Sequence, residues 1–229
     1  FEIENAKITY VDRQSKTRVA VRGFNAEADG DLNLDNLDLD IKLSDDRTTL
    51  TVDGTRYIRR LPLAFDGHVY YDYQQEKYVV GDSHIILDGH ALTLDGTVQT
   101  DTAGVDMDLT YALDSPDVEK LFALIPKDIV SEDIEVKSGS IESNGYVRGR
   151  LDKENSPVVA CNMTIRDVRS RYARMPEEIE DLCAEFSAYI DAQNPDSSHL
   201  AVDIFHFKGL RRKILQFYFH SSFYNSLNI

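Results

Sequence analysis

Apolar and polar residues alternate along nearly the whole chain. Leu37-Asp38-Leu39-Asp40-Ile41-Lys42-Leu43 places four aliphatic side chains on one face of a strand and charge on the other. Val105-Asp106-Met107-Asp108-Leu109-Thr110-Tyr111 repeats the pattern, as does Leu182-Cys183-Ala184-Glu185-Phe186-Ser187-Ala188-Tyr189-Ile190. Successive side chains of a strand point to opposite faces, so a period of two predicts a sheet with one apolar and one polar side. The expected fold is mostly β: a long curled antiparallel sheet forming a groove or taco-like half-barrel.

Turn signals fall between the alternating runs. Asp29-Gly30, Asp53-Gly54, Asp66-Gly67, Asp88-Gly89 and Asn144-Gly145 are dipeptides that supply positive φ for tight hairpins. They divide the first half into strands near 1–12, 17–27, 31–44, 48–52, 55–65, 67–73, 77–87, 90–99 and 104–113. The second half divides into 139–151, 157–167, 169–174, 179–191, 199–208 and 213–221. The apolar phase slips twice: Phe1 and Ile3 are odd but Ile8 and Tyr10 even, and Leu32 and Leu34 are even but Leu37 and Leu39 odd. A slip of one residue would turn every side chain over, so bulges are predicted at Asn5 and at Asp35-Asn36.

One helix interrupts the strands. Ser115-Pro116-Asp117-Val118-Glu119-Lys120-Leu121-Phe122-Ala123-Leu124-Ile125-Pro126 has a capping Ser, Pro at the first helical position, acid in the first turn and a closing Pro. A helix near 116–125 is expected, with Val118, Leu121, Phe122 and Ile125 on one face, placed to cover the end of the apolar surface. The organisation expected is one β-groove domain over 1–229: a sheet segment over 1–113, a helical interruption over 114–137 and a second sheet segment over 138–229.

Composition excludes several classes. Forty acidic against 25 basic residues give a net charge of -15, which argues against nucleic acid and against docking on an anionic bilayer through the body of the domain. Arg211-Arg212-Lys213 beside Gly209 reads as a solvated hairpin turn. No stretch approaches the roughly 18 consecutive apolar residues of a membrane span, so this portion is expected to be soluble. The chain opens at Phe1 inside a strand-like run, with neither Met nor signal peptide, and is expected to be a piece of something longer. Cys161 shares a face with Val159, Met163 and Ile165, whereas Cys183 alternates against Leu182, Ala184 and Phe186. Two thiols on opposite faces cannot bond, so both are expected free.

Catalytic motifs are missing: there is no G-x-S-x-G, P-loop or H-E-x-x-H. The six His are scattered and read as strand-surface residues, His84 and His90 among them. Asp29, Asp31, Asn33, Asp35 and Asp40 fall in a calcium-loop register, but Leu34 replaces the required Gly and no helices flank it. Asn162-Met163-Thr164 matches a glycosylation sequon yet lies in a predicted strand. Trp is absent, and Tyr70, Tyr71, Tyr73 and Tyr78 read as a cross-strand aromatic hairpin around Gln74-Gln75-Glu76-Lys77 rather than a sugar platform. No metal, no cofactor and no enzymatic activity are expected.

Several phrases resemble a known family. Phe1-Glu2-Ile3-Glu4-Asn5-Ala6-Lys7-Ile8-Thr9-Tyr10-Val11-Asp12 is similar to a recurring phrase of AsmA-like proteins, the AsmA/TamB superfamily, in their Bacteroidetes-type versions. Asp88-Gly89-His90-Ala91-Leu92-Thr93-Leu94-Asp95-Gly96-Thr97-Val98 resembles their repeated strand, and Leu121-Phe122-Ala123-Leu124-Ile125-Pro126 the helix that follows. Ser138-Gly139-Ser140-Ile141, Gly145-Tyr146-Val147-Arg148-Gly149 and Pro157 resemble the next sheet segment. The resemblance covers most of 1–208; the aromatic Phe217-Tyr218-Phe219 stretch departs from it. It implies a periplasmic β-groove held at the inner membrane by a segment upstream of this chain, linked to outer-membrane biogenesis and to phospholipid transport, with envelope proteins as further partners.

Elementary energetics agrees with such a role. A two-tailed lipid exposes roughly thirty methylenes, whose hydration costs on the order of 24 kcal/mol, so crossing water requires a continuous apolar trough. The candidate lining is Leu39, Ile41, Leu92, Leu94, Val98, Val105, Met107, Leu109, Phe186 and Ile190. The function expected is non-enzymatic binding or conduction of phospholipid or another acyl lipid. The alternatives are an extracytoplasmic β-sandwich interaction or adhesion module without a lipid channel and, behind it, a carbohydrate-active enzyme.

Overall fold

The structure is a computed structural model and describes residues 1–124, 133–174, 178–209 and 213–219. Twelve strands run in chain order: β1 (Glu2–Asp12), β2 (Thr17–Leu32), β3 (Asn36–Val52), β4 (Thr55–Asp72), β5 (Lys77–Leu87) and β6 (His90–Thr100). They continue as β7 (Val105–Ser115), β8 (Ile134–Leu151), β9 (Val158–Tyr172), β10 (Ile179–Ile190), β11 (His199–Gly209) and β12 (Lys213–Phe219), with helix α1 (Val118–Leu124) between β7 and β8. Each strand pairs antiparallel with the next, so the twelve form one meander whose spatial order is the sequence order. The sheet does not close into a barrel. β7 pairs with β8 from Val105↔Leu151 to Ser115↔Ile141, so the chain leaves the sheet for α1 and returns beside the strand it left.

Several predicted turns are strand interiors. Gly30 pairs with Leu39, Gly67 with Ile41, and Asn144-Gly145 with Asn162 and Cys161. The segments predicted at 31–44 and 48–52 are joined in β3, those at 55–65 and 67–73 in β4, and those at 157–167 and 169–174 in β9. Close approach explains glycine at these places: a Cβ on Gly30 would meet the Asp38 carbonyl oxygen at 2.2 Å, and one on Gly145 the Ala160 carbonyl oxygen at 2.1 Å. Asp53-Gly54 and Asp88-Gly89 are true two-residue hairpin loops with all four residues at positive φ.

Of the two predicted bulges, Asn5 is one. It has φ 48°, the β1–β2 register shifts beside it, and its N–H donates to Asn25 Oδ1 at 3.0 Å. Asp35-Asn36 is not. The chain reverses there, with Asn33 Oδ1 accepting the N–H groups of Asp35 and Asn36 at 2.9 Å each, and Leu32 facing Leu37 across the hairpin. The apolar phase changes because an even number of residues, 33–36, separates the paired Leu32 and Leu37, so that facing positions on the two strands differ in parity. Further residues at positive φ lie inside strands at Arg60, Asp82, Asp167 and Asp181, each beside a register shift. Such bulges bend and coil a sheet. They let strands of up to 18 residues curl into a groove instead of running straight.

The surface area records the open shape. It is 15598 Å², about half as much again as the ~10,500 Å² expected of a compact 26.0 kDa monomer. Helix α1 lies on the apolar face, where Val118, 2% exposed, packs on Ile141 of β8 and Val168 of β9, and the helix also reaches β4. Its cap differs from expectation. Asp117 Oδ1 accepts the Lys120 N–H at 3.1 Å, while Ser115 is fully buried with its hydroxyl 2.8 Å from His90 Nδ1. Ile125, Pro126, Arg211, Arg212 and the last two positions of the predicted strand 213–221 lie outside the described residues.

Candidate functional site

Register turns the alternating runs into continuous rows. One reads Gly30–Leu39–Val69–Val80–Gly96–Leu109–Val147–Val159–Ile190, crossing nine strands from β2 to β10. Another reads Ala26–Leu43–Phe65–Ile85–Leu92–Leu113–Ser143–Met163–Phe186–Val202, reaching β11. Neighbouring strands stand about 4.8 Å apart, so the first row alone runs roughly 38 Å. Paired residues project to the same side, and each row therefore lines one face.

All ten residues expected to line a groove lie on this face. Leu39 and Ile41 come from β3, Leu92, Leu94 and Val98 from β6, Val105, Met107 and Leu109 from β7, and Phe186 and Ile190 from β10. Nine are half-buried, and Ile190 is 55% exposed at the end of its strand. Every buried strand residue also belongs to this face, including Ala26, Ile141, Val168 and Ala184. The face is thus the concave inner one. It remains accessible to solvent over most of its length, because side chains sealed between two layers would be buried throughout. A lip of exposed apolar residues follows the strand ends opposite α1: Leu32, Tyr78, Leu151, Ile190 and Leu200, joined by Leu34 and Tyr73 in the loops.

The inner face carries polar groups that alternation did not flag. Asp45 is buried in β3, with Oδ2 accepting the Thr48 hydroxyl at 2.7 Å and Oδ1 unpartnered. Burial pushes its carboxyl above the usual carboxylate range, against the lowering by Thr48. Ser83 is sealed beside the Asp82 bulge and exchanges hydrogen bonds with the backbone of Leu94 at 2.7 Å. His90 is buried against Ser115 at the end of β7, not surface-borne as the sequence implied, and its Nε2 has no partner. Ser115 and His90 form a hydroxyl–imidazole pair, but a nucleophile must reach its substrate and Ser115 is fully enclosed. The pair anchors the start of α1.

The outer face is polar and cross-braced. Arg150 binds Asp101, Asp106 and Asp152 at 2.8, 2.5 and 2.9 Å. Asp101 is held below the usual carboxylate range first by the Ala103 N–H and then by Arg150, and Asp152 likewise by Asn155 and neighbouring N–H groups. His68 bridges Asp38 and Asp40 at 3.1 and 3.0 Å. On the inner face, in the row Leu37–Tyr71–Tyr78–Val98, Tyr71 stacks on Tyr78 across β4 and β5 with centroids 4.1 Å apart, as a cross-strand aromatic pair should. Cys161 faces Ala188 on the inner side and Cys183 faces His206 on the outer, and both thiols are free. Among the described residues no three His, Cys, Asp or Glu converge as a metal site, and no helix is long and apolar enough to cross a membrane.

Comparison with protein-family models, curated proteins and solved structures gives no match.

Proposed function

We infer that this chain is a non-enzymatic lipid-binding groove of the AsmA-like kind, taking phospholipid or another acyl lipid on its concave face. The observation that supports the reading most is the row from Gly30 to Ile190, which crosses nine strands without a polar side chain and is nowhere fully buried. Each acyl methylene moved from water onto such a surface gains about 0.8 kcal/mol. A trough with no transverse polar barrier lets that gain persist as a lipid slides. The exposed lip of Leu32, Tyr78, Leu151, Ile190 and Leu200 offers a lipid tail a graded passage between water and trough. The setting that goes with this reading is the periplasm, with an inner-membrane anchor upstream and a part in outer-membrane biogenesis alongside envelope proteins. A sandwich module without a channel would set two sheets face to face, whereas the twelve strands here belong to one.

Native mass spectrometry of protein purified without detergent tests the reading. The expected result is adducts with the masses of phospholipids or fatty acids, exchangeable against added phosphatidylglycerol. A parent protein free of lipid, which takes up none from vesicles, would overturn it.

A further inference from the structure

The outer face of β2–β4, toward the Asp53-Gly54 turn, carries a concentration of arginine that the sequence disperses. Arg18 and Arg22 stand on β2, Arg47 on β3, and Arg56 and Arg60 on β4. Together with Ala20, Thr49 and Thr51 they line a cleft of about 380 Å³. Register assembles it: Arg18 faces Thr51, which faces Arg56, and Arg22 stands directly opposite Arg47. Residues 7–22 and 47–60 hold nine basic and two acidic residues, a local charge of +7 in a chain of net charge -15. Asp12 is occupied with its own turn, through Gln14 and Ser15, and Asp53 with Lys16.

Elsewhere on this face several cations are paired across strands, although Arg169 and Arg171 of β9 have no carboxylate within 4.0 Å among the described residues. Lys42 meets Asp66, Arg148 meets Asp108, Arg166 meets Glu142 and Lys208 meets Asp181. Among the described residues, none of the five cleft arginines makes an ion pair within 4.0 Å. Like charges directly opposite on neighbouring strands repel, and in a chain with 40 carboxylates pairing them would have been easy. Arg60 adds a second departure. It holds φ 63° at a register shift, a backbone state disfavoured for any side chain but glycine, and a bulge of this kind re-aims its residue. All five are arginines, whose planar fork of donors matches phosphate oxygens two at a time, with the Thr49 and Thr51 hydroxyls between them as further donors. At physiological salt, charges beyond about 8 Å are largely screened, so the acidity of the rest of the chain does not cancel this cluster.

We propose that this cleft is a binding site for an anionic phosphate group, carried either by a free phosphorylated small molecule or by a lipid headgroup of net negative charge. The site faces away from the groove and stands independently of the lipid reading. It also revises the expectation that net acidity keeps the whole body from anionic surfaces: the exclusion fails locally, where strand pairing collects cations.

The test is calorimetric titration of the whole chain with pyrophosphate, beside co-sedimentation with vesicles of phosphatidylglycerol or phosphatidylcholine, at about 50 and 500 mM salt. Binding of pyrophosphate, of phosphatidylglycerol vesicles but not phosphatidylcholine, or of both, supports the proposal and identifies the source. The triple variant R22Q/R47Q/R56Q should lose at least tenfold in affinity while keeping the parent's circular dichroism spectrum. R148Q, from a paired arginine elsewhere on the same face, should change affinity less than twofold. The proposal is overturned if the parent binds neither probe at low salt, if the triple variant binds as the parent does, or if R148Q loses as much. Binding of a single-stranded oligonucleotide where both probes fail would also overturn it.

Discussion

Replacing Met107 by Asp puts a carboxylate in the middle of the inner face, between Val98 and Gly149. Full burial of a methionine is worth about 1.5–3 kcal/mol. Met107 is half-buried, so its removal forfeits ~1 kcal/mol, and aspartate's poor fit to a strand costs up to about 1 kcal/mol more. Because the face is open, the new carboxylate reaches water and carries no large desolvation penalty. The sum is ~2 kcal/mol, or a melting temperature lower by roughly 4–8 °C for a chain of this size. Val168 gives the contrast: it is 4% exposed, sealed beneath Val118 of α1. An unpaired charge there costs about 3–5 kcal/mol on top of the lost packing, which lowers the melting temperature by more than about 10 °C or abolishes folding. Thermal melts by far-UV circular dichroism, with native mass spectra of the same samples, read both quantities. Met107→Asp should keep its strand signal and lose its acyl adducts, whereas Val168→Asp should lose structure. If Met107→Asp is as damaging as Val168→Asp, the inner face is a sealed core, and the trough argument fails with it.

Two further outcomes follow from the backbone and from the carboxylates. Gly96 holds φ 134°, and a Cβ there would meet the Asp108 carbonyl oxygen at 2.0 Å. Gly96→Ala should therefore cost about 2–4 kcal/mol through strain and displacement of β7, while Gly89→Ala, at positive φ but with open space around it, should cost about 1 kcal/mol; equal melting temperatures for the two would refute the close-approach argument. Asp12, Asp101, Asp117, Asp152, Glu178 and Asp181 all lie below their ordinary range, held there chiefly by Ser15, the Ala103 N–H, the Lys120 N–H, Asn155, Lys137 and Lys208 in turn. The unfolded chain then binds more protons than the native one, so their stabilisation is complete above the ordinary carboxylate range and drains away as pH falls through it. Asp45 runs the other way, since burial raises its pKa and acidification relieves it. Six groups against one predict a melting temperature that falls from about pH 5 to pH 3, with a smaller fall in Asp152→Asn; a rise over that interval would show that Asp45 dominates.

Much of the fold was legible in the amino-acid order, for a specific reason. Period-two alternation encodes both the strand and the face to which each side chain belongs, so Leu39, Leu94, Met107 and Phe186 could be assigned to one surface before any pairing was known. The hairpins at Asp53-Gly54 and Asp88-Gly89 were equally readable, since both residues supply the positive φ that a two-residue turn needs. Gly30, Gly67 and Gly145 misled for the same chemical reason. A residue without Cβ suits a tight turn and also suits a strand whose neighbour passes at 2–3 Å from where a Cβ would be. Local sequence cannot separate the two, because the neighbour lies elsewhere in the chain.

What the sequence by itself determined is therefore the surface pattern: strands, their faces, the helix between β7 and β8, and the incompatibility of Cys161 with Cys183. What only the tertiary structure decided is adjacency. His90 reads as one more strand residue until Ser115 at the end of β7 closes on it, and Asp45 as one more charge until Thr48 and the concave face enclose it. Arg22 and Arg47 are 25 positions apart and become neighbours only through the β2–β3 register. Alternation is a property of a single strand, set by the geometry of its own backbone. A cluster is a property of several strands at once, fixed by loop lengths and bulges that shift their register, and it exists only after the sheet has formed.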